Sequence, residues 1–316
     1  MSILVVGSVA YDAVSTPTAS LKQSLGGSAT FFSLAASYFA PVSVVGVVGE
    51  DFRWEDLHML EEHGIDTGGL VKRPGKTFRW VGEYGQDMNE AHTLDTQLNV
   101  FANFKPVLPA AARKPPFLFL ANIDPDLQQA VLGQLQDRPR LVGGDTMNFW
   151  IQGKGDSLAK VIGAVGTLLI NEGEIRLLTG EPNLVKAARQ VLRQGPGMVV
   201  VKRGEYGAIC FTKDDVFATP AYPLETVVDP TGAGDTFAGG FMGYLAATGD
   251  LSIASVRRAM IVGSVMASFT VEDFGPARLQ SATAQEIQER YREFWKLTYF
   301  DGNGERPLPR RTSVGA

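Results

Sequence analysis

The run Thr226-Val-Val-Asp-Pro-Thr-Gly-Ala-Gly-Asp-Thr-Phe-Ala-Gly-Gly-Phe-Met-Gly-Tyr-Leu245 carries the strongest structural signal in the chain. It begins as an extended segment, continues as a glycine-rich turn and ends in a pattern that favours a helix. Gly232 and Gly234 allow backbone conformations that a side chain would obstruct, so successive N–H groups can converge at the positive end of that helix. The run therefore predicts an anion site, and Asp235 lies directly in it.

A carboxylate at an anion site needs a chemical reason, because Asp235 would repel a phosphate. Removal of a proton from an attacking hydroxyl supplies one. The alternative is structural: Asp235 and Thr236 would cap the helix, and the glycines would form a tight entry turn. The Gly-x-Gly-Asp turn taken alone leaves both interpretations open.

Short apolar runs alternate with helical patterns along the rest of the chain. The runs predict buried parallel strands, at residues 3–6, 42–48, 117–120, 141–142, 167–170 and 198–201. Helices are predicted between them and after them, at residues 28–39, 54–63, 126–135, 184–193, 236–248 and 284–295. This alternation predicts an α/β fold, a three-layer αβα sandwich around a mostly parallel sheet.

Two segments interrupt this alternation. Residues 12–20 and 76–100 are richer in Thr and polar residues, and Thr77-Phe-Arg-Trp-Val-Gly-Glu83 alternates as a strand does. We expect them to form a small antiparallel sheet that projects from a main domain over residues 1–300 and acts as a lid. Residues 301–316 are predicted to be a C-terminal tail, either a surface extension or disordered.

The composition limits the classes of partner. Of the 316 residues, 45% are hydrophobic and 20% are charged, an ordinary balance for a globular protein with a sizeable interior. The net charge of -5, without any block of Lys and Arg, argues against a nucleic-acid partner. No apolar run reaches about 18 residues, so no membrane span is predicted. A single cysteine, Cys210, and the lack of a signal-peptide pattern after Met1 predict a cytoplasmic protein.

The run around Asp235 resembles, residue for residue, the C-terminal signature of the ribokinase-like (phosphofructokinase-B type) carbohydrate and nucleoside kinases. In that family the equivalent aspartate is the catalytic base, and the amides that match Gly232, Ala233, Gly234 and Asp235 form the anion hole for the transferred phosphoryl group. The resemblance therefore implies an ATP-dependent kinase that phosphorylates a hydroxyl of a sugar or nucleoside and uses Mg²⁺. It also leaves open a monovalent cation such as K⁺, near residues 229 and 231.

Two motifs extend the resemblance through the N-terminal half. Asp12, just after the first strand, matches an aspartate that holds two sugar hydroxyls in the family; by itself it would indicate a turn or cap residue. Gly26-Gly-Ser-Ala-Thr-Phe31 matches the paired-glycine motif that touches the acceptor in the family. Glycines suit this role because Gly26 and Gly27 permit close approach of a ligand to the backbone. The family commonly has asparagine where this chain has Phe31, so stacking on the acceptor and simple core packing are both open there.

The C-terminal half carries the motifs that the resemblance assigns to the nucleotide. Asn171 and Glu174 have the family's Asn-x-x-Glu spacing, and on one face of a helical turn they suit Mg²⁺ held mainly through water. A helix cap is the alternative for this pair. The other residues expected along the nucleotide are Lys202, Gly204, Gly207, Thr231, Ser268 and Gly275.

Asp145 and Arg79 complete the predicted acceptor site. Asp145, with Asn148 close by, follows the strand at 141–142 and would bind phosphate or acceptor, and Arg79 lies on a strand of the lid with Glu83 on the same side. A solvated or structural role is the alternative for all four residues. We expect a furanose sugar or a nucleoside with a primary hydroxyl. A hexose kinase, a keto-sugar-acid kinase and a catalytically silent sugar or nucleotide sensor are the alternatives. Exposed strand edges also suggest a homodimer through the lid.

Overall fold

Two β-sheets organise the molecule. The computed structural model describes residues 1–89 and 91–299, so the predicted tail at 301–316 lies outside the described residues. The strands are β1 (Ile3–Val6), β2 (Ala10–Ser15), β3 (Ser20–Gly26), β4 (Val42–Val48), β5 (Ile65–Lys72), β6 (Phe78–Tyr84), β7 (Ala91–Gln97), β8 (Phe117–Leu120), β9 (Leu141–Gly144), β10 (Thr167–Asn171), β11 (Met198–Lys202), β12 (Ala208–Thr212) and β13 (Val216–Thr219).

The larger sheet has nine strands in the order β13-β12-β11-β10-β9-β8-β1-β4-β5. Every pair from β11 to β5 is parallel, and only β12 and β13 run antiparallel to their neighbours. The carboxyl ends of β1, β8, β9, β10 and β11 therefore meet at one edge, where ligands of open α/β sheets bind.

Helices cover both faces of this sheet. They are α1 (Ser28–Ser37), α2 (Trp54–Glu62), α3 (Pro125–Leu132), α4 (Asn148–Gly153), α5 (Gly155–Ala164), α6 (Glu172–Thr179), α7 (Leu184–Leu192), α8 (Ala233–Thr248), α9 (Ile253–Thr270), α10 (Ala277–Ser281) and α11 (Ala284–Thr298). Helices α1, α8 and α9 share one core with the sheet, and α3, α5, α6 and α7 pack on its other face. The predicted three-layer αβα sandwich is confirmed. None of the helices in the described ranges is long and apolar enough to span a membrane.

The predicted strands all lie in this sheet, but the apolar pattern did not indicate β5. This strand is at the edge of the sheet and only Ile65 and Gly69 of its eight residues are buried. An edge strand with few buried positions lacks the continuous apolar run that marks a central parallel strand. The pattern is therefore informative only where both faces of a strand are covered.

The small sheet has four strands in the order β3-β2-β6-β7. Its outer pairs are antiparallel as expected, whereas the central pair, β2 and β6, is parallel because the chain between them passes through α1 and the main sheet. The sheet also extends to Gly26, beyond the predicted limit at residue 20. Edge strand β7 is largely exposed, and edge strand β3 is exposed at three of its seven residues. Pairing of these edges across a dimer stays a prediction.

Helix α8 lies unusually close to its two neighbours. A Cβ added at Gly239 would lie 2.4 Å from the Phe32 carbonyl oxygen in α1, and one added at Gly240 would lie 2.9 Å from Met266 Cγ in α9. Side chains at these positions would force the helices apart. The glycines thus fix the N-terminus of α8 against α1 and the ligand-binding edge of the sheet.

Replacement of Phe32 by alanine should lower the free energy of unfolding by about 3–5 kcal/mol. The ring is fully buried and stacks on Phe119 of β8, with 4.2 Å between the ring centroids. Urea denaturation followed by circular dichroism measures the loss. The matched control is Phe149→Ala, whose ring is 63% exposed and whose removal should cost less than about 0.5 kcal/mol. Equal losses for the two variants would contradict this account of the core.

Candidate active site

The glycine-rich turn joins directly onto α8. Gly232 is the N-cap residue with φ of 78°, a left-handed conformation that favours glycine, and the helix begins at Ala233 instead of the predicted residue 236. Among the described residues, no side chain caps the helix. Thr236 is fully buried, and its Oγ1 accepts a hydrogen bond from Thr270 Oγ1 at 2.8 Å. The capping alternative for Asp235 and Thr236 is therefore wrong.

The first turn of α8 leaves backbone donors for an anion. Thr236 N–H donates to the Gly232 carbonyl at 2.8 Å, and Ala233 N–H donates to the Pro230 carbonyl at 3.1 Å. Ala233 is thus already paired, which differs from the expected set of four amides. In the part of the chain that the structure describes, no hydrogen bond uses the N–H groups of residues 232, 234 and 235. These three lie at the positive end of the helix.

The Phe31 ring packs against the backbone of this turn. A Cβ added at Gly232 would lie 2.3 Å from Phe31 Cδ2 and 2.4 Å from Cε2, so the ring lies directly against the Gly232 backbone. The Phe31 side chain is 1% exposed. Burial of this kind does not fit the expected stacking on an acceptor, and the core-packing alternative is correct.

Asp235 lies in the first turn of α8, half-buried. Burial raises the pKa of its carboxyl to about 7, the carboxylate of Asp145 adds to the rise, and the ammonium of Lys202 opposes it. A group with a pKa near neutrality can both accept and release a proton at physiological pH. The electrostatics therefore suit proton transfer at this position.

Lys202 is the cation of the site. It ends β11, and its Nζ forms an ion pair with Asp145 Oδ2 at 2.8 Å, with side chains that are 16% and 4% exposed. Burial lowers the pKa of Lys202, but the carboxylates of Asp145, Glu174 and Asp235 outweigh that effect and raise it. The ammonium thus stays charged beside the turn, where a Cβ added at Gly234 would lie 3.2 Å from Nζ.

Asn171 and Glu174 form a capping box at the start of α6. Glu174 N–H donates to Asn171 Oδ1 at 2.7 Å, and Asn171 N–H donates to Glu174 Oε2 at 2.9 Å. The predicted cap alternative is thus present, which occupies one oxygen of each side chain. Burial, with a contribution from Asp145, raises the pKa of Glu174 to about 7.

Asn171 and Glu174 could hold Mg²⁺ only together with substrate phosphates and water. Within residues 1–89 and 91–299, no three His, Cys, Asp or Glu side chains are arranged to hold a metal ion. Mg²⁺ usually keeps several waters and binds through one or two carboxylates plus substrate phosphates. Glu174, beside the carboxyl ends of β10 and β11, meets that description without a protein-only cage.

Asp12 faces the same region from the small sheet. Its carboxylate is 8% exposed, and a Cβ added at Gly26 would lie 1.9 Å from Asp12 Oδ2, so only glycine fits there. Burial raises the Asp12 pKa to about 7, the Gly27 N–H lowers it, and the carboxylates of Asp229 and Asp235 raise it further. The carboxylate of Asp12 on the small sheet is thus near enough to the carboxylates of Asp229 and Asp235 for their charges to raise its pKa.

Asp229 organises the loops next to the turn. Its Oδ1 accepts a hydrogen bond from Thr231 N–H at 2.9 Å, and its Oδ2 accepts one from Gly275 N–H at 3.2 Å. Asp229 is 1% exposed, and burial raises its pKa. Thr231 and Gly275 are therefore brought together by a buried carboxylate between them, and their contact with a nucleotide stays a prediction.

Two predicted site residues face elsewhere. Arg79 donates to the Lys22 carbonyl at 3.0 Å, and by strand alternation it lies with Glu83 on the face of β6 opposite Trp80, the register partner of Asp12. Ser268 lies in the last turn of α9, 6% exposed, where its Oγ accepts from Arg290 Nη1 at 2.8 Å. Neither faces the region of Asp12 and Asp235, which corrects the expected acceptor contact of Arg79, whereas the nucleotide contact of Ser268 stays a prediction.

Tyr84 is a site residue that the sequence pattern did not single out. It ends β6, and its Oη accepts a hydrogen bond from Thr231 Oγ1 at 3.2 Å. Burial raises its pKa, and so do the nearby carboxylates of Asp229, Asp12 and Asp235. The period-two pattern of the strand contains a signal for it, because Trp80, Gly82 and Tyr84 lie on one face of β6, the face that Asp12 shares.

Fold and site together define a small-molecule kinase with the ribokinase fold. A profile of the pfkB family carbohydrate kinases matches residues 1–282. The chain belongs to this family, whose kinases use ATP.

Nucleoside and sugar kinases are among its relatives. A cytidine kinase of Thermococcus kodakarensis is 29% identical over 250 residues, which cover 77% of this chain and 88% of that protein. A nucleoside kinase of Burkholderia thailandensis solved with inosine has a TM-score of 0.75 at 19% identity, over 93% of this chain and 98% of that one. An Escherichia coli protein assigned as a ribokinase II, solved with ATP and Mg²⁺, has a TM-score of 0.76 at 19% identity, over 92% and 99%.

Replacement of Gly232 by alanine should abolish most turnover. An alanine there would adopt a left-handed conformation and would drive its Cβ into the Phe31 ring, so the turn and its donors must move. Loss of one such donor can cost about 10²–10³-fold in kcat. Steady-state ADP release measures the effect. Gly249→Ala, a left-handed glycine at the far end of α8, is the matched control and should lose stability but not turnover; equal turnover of G232A and wild type would refute the role of the turn.

Proposed function

We propose that this protein transfers the γ-phosphoryl group of ATP to the primary hydroxyl of a nucleoside, with Asp235 as the general base. The observation that carries the proposal is the position of Asp235, within the first turn of α8 and beside N–H groups that have no other partner in the described residues. A carboxylate with a pKa near 7 at an anion site suits a hydroxyl acceptor that must lose a proton as it attacks.

The N-terminal turn of α8 would hold the transferred group. The N–H groups of Gly232, Gly234 and Asp235 would donate to its oxygens, where their pre-organised direction favours the charge that develops in the transition state. Lys202, held by Asp145, would add a positive charge at the same place. Mg²⁺, when bound with ATP, would neutralise phosphate charge near Glu174.

The acceptor would lie between Asp12 and Asp235. Asp12 would accept hydrogen bonds from two sugar hydroxyls, and the paired glycines 26 and 27 would allow the sugar to approach the backbone. Trp80, the register partner of Asp12 on β6, offers an aromatic surface next to the sugar. That arrangement, together with the cytidine and nucleoside kinases among the relatives, favours a base-bearing acceptor.

The charge of the site argues against an anionic acceptor. The carboxylates of Asp229 and Asp235 raise the pKa of Asp12, and all three raise that of Tyr84, which places several carboxylates around the proposed acceptor. A keto-sugar acid would bring a further negative charge into that desolvated region. A neutral nucleoside or furanose carries no such cost.

Asp235→Asn should lower kcat by about 10²–10⁴-fold, the usual contribution of a general base. Nucleotide affinity should stay within about twofold, because an amide keeps the shape of the turn. Wild-type turnover should fall as the pH drops below about 7, where the carboxyl is protonated. Stopped assays of ADP release across pH 5–9 measure both effects.

The same variant has a useful stability signature. A carboxyl whose pKa is raised in the folded protein binds its proton more tightly there than in the unfolded chain, so its contribution to stability falls as the pH rises toward and past 7. D235N should therefore raise the melting temperature at pH 8, which separates loss of chemistry from misfolding. Asp137→Asn, at an exposed turn, is the matched control. Near-normal turnover of D235N would remove Asp235 from the role of base.

The acceptor class is tested by ADP release from MgATP with separate pools of pyrimidine nucleosides, purine nucleosides, furanoses, hexoses and keto-sugar acids. We expect turnover with a nucleoside pool, and no product from the corresponding 5′-deoxynucleoside, which lacks the attacking hydroxyl. Turnover with a free-sugar pool alone would correct the acceptor to a carbohydrate. Tight MgATP binding without ADP release from any pool would instead favour a silent sensor.

A further inference from the structure

Tyr84 connects the small sheet to the phosphate turn. Its Oη, bonded to Thr231 Oγ1 at 3.2 Å, joins strand β6 to the residue immediately before Gly232. Neighbouring strand β2 carries Asp12, and the two strands are paired from Ala10 to Ser15. Any movement of the small sheet away from the main sheet must therefore break this hydrogen bond.

Asn89 makes a second connection, at the far end of the same hairpin. Its Nδ2 donates to Glu205 Oε1 at 3.2 Å, and its Oδ1 accepts from Glu205 N–H at 3.3 Å. A Cβ added at Gly204 would lie 2.0 Å from Asn89 Oδ1, so the amide rests on the Gly204 backbone. Gly204 follows β11, the strand that ends with Lys202.

We propose that Tyr84 and Asn89 are positioning residues that fasten the small sheet to the two loops of the nucleotide side, so that acceptor and nucleotide sites close as one unit. The proposal rests on the assignment of this protein as an ATP-dependent kinase. Tyr84 acts through Thr231 on the turn that holds the transferred phosphoryl group. Asn89 acts through Gly204 and Glu205 on the loop after β11.

Positive coupling between the two ligands follows from this geometry. A nucleotide that orders the turn and the Gly204 loop also orders the surface against which the β6–β7 hairpin closes. An acceptor that binds afterwards therefore pays a smaller entropy cost for closing the small sheet. By linkage, the acceptor strengthens nucleotide binding by the same factor. Coupling of this kind also limits hydrolysis of ATP without acceptor, because the groups that stabilise the transferred phosphoryl group are brought together only when both ligands are bound.

Tyr84→Phe and Asn89→Ala should each weaken the coupling by about 2–10-fold, the effect of one or two net hydrogen bonds. The measurement is the ratio of the KM for MgATP at low and at saturating acceptor. The melting temperature should stay within a few degrees of wild type, since Asn89 is exposed and Phe keeps the ring of Tyr84. Gln86→Ala in the same exposed turn and Tyr291→Phe on α11 are the matched controls, which should leave the ratio unchanged.

A reversible cross-link tests the closure directly. The Cβ positions of residues 89 and 204 lie 3.7 Å apart, close to the mean of about 3.8 Å in disulfides, and the one native cysteine is buried. The N89C/G204C variant should form a disulfide on mild oxidation and lose at least about tenfold in turnover, with recovery to the level of its reduced form on addition of dithiothreitol. The single variants N89C and G204C set the baseline.

Hydrogen exchange separates this proposal from the kinase assignment, because it needs only MgADP. In wild type, MgADP should slow exchange at the amides of residues 84–89, and the slowing should be lost in Y84F and N89A. If wild type turns over an acceptor while both variants keep wild-type coupling and exchange, the fastening role is overturned. If no acceptor is found but the exchange pattern holds, the fastening role stands and the kinase assignment fails.

Discussion

The packing of Gly232 against the Phe31 ring is the contact on which the site depends. It sets the left-handed turn at the N-terminus of α8, and it links that turn to α1, which begins beside the paired glycines near Asp12. Close approach of α8 to α1 and α9 at Gly239 and Gly240 prevents the helix from shifting along its axis. The donors of the turn and the acceptor-side carboxylate are therefore parts of one rigid unit.

Desolvation raises the pKa values of the carboxyl groups in this unit. Burial is the largest cause of the raised pKa values of Asp12, Glu174 and Asp235. The Lys202 ammonium, paired with Asp145, lies near the last two of these carboxyl groups. Such an arrangement lowers stability, since folded carboxyl groups resist ionisation. Clusters of carboxyl groups with raised pKa values occur preferentially at functional sites, which supports the proposed role of this one.

Patterns in the sequence were reliable where one physical requirement dominates a residue. The apolar runs of the central strands, the Gly-x-Gly-Asp turn and the Asn-x-x-Glu capping box each satisfy a local rule, and each lies where it was predicted. The expectation for Arg79 was wrong for the opposite reason. The direction of its side chain is set by the register of β6, which nearby residues do not encode.

The fold class and the glycine-rich turn with Asp235 in it could be predicted from the residues alone, because backbone freedom, hydrophobic period and helix polarity are local properties of the chain. The support of the turn by Phe31 and the pairing of Ala233 N–H are visible only in the folded protein. The tertiary structure also decided that Tyr84 and Asn89 reach the nucleotide side. The contacts of Phe31, Tyr84 and Asn89 join residues more than a hundred positions apart, and long-range packing alone brings them together.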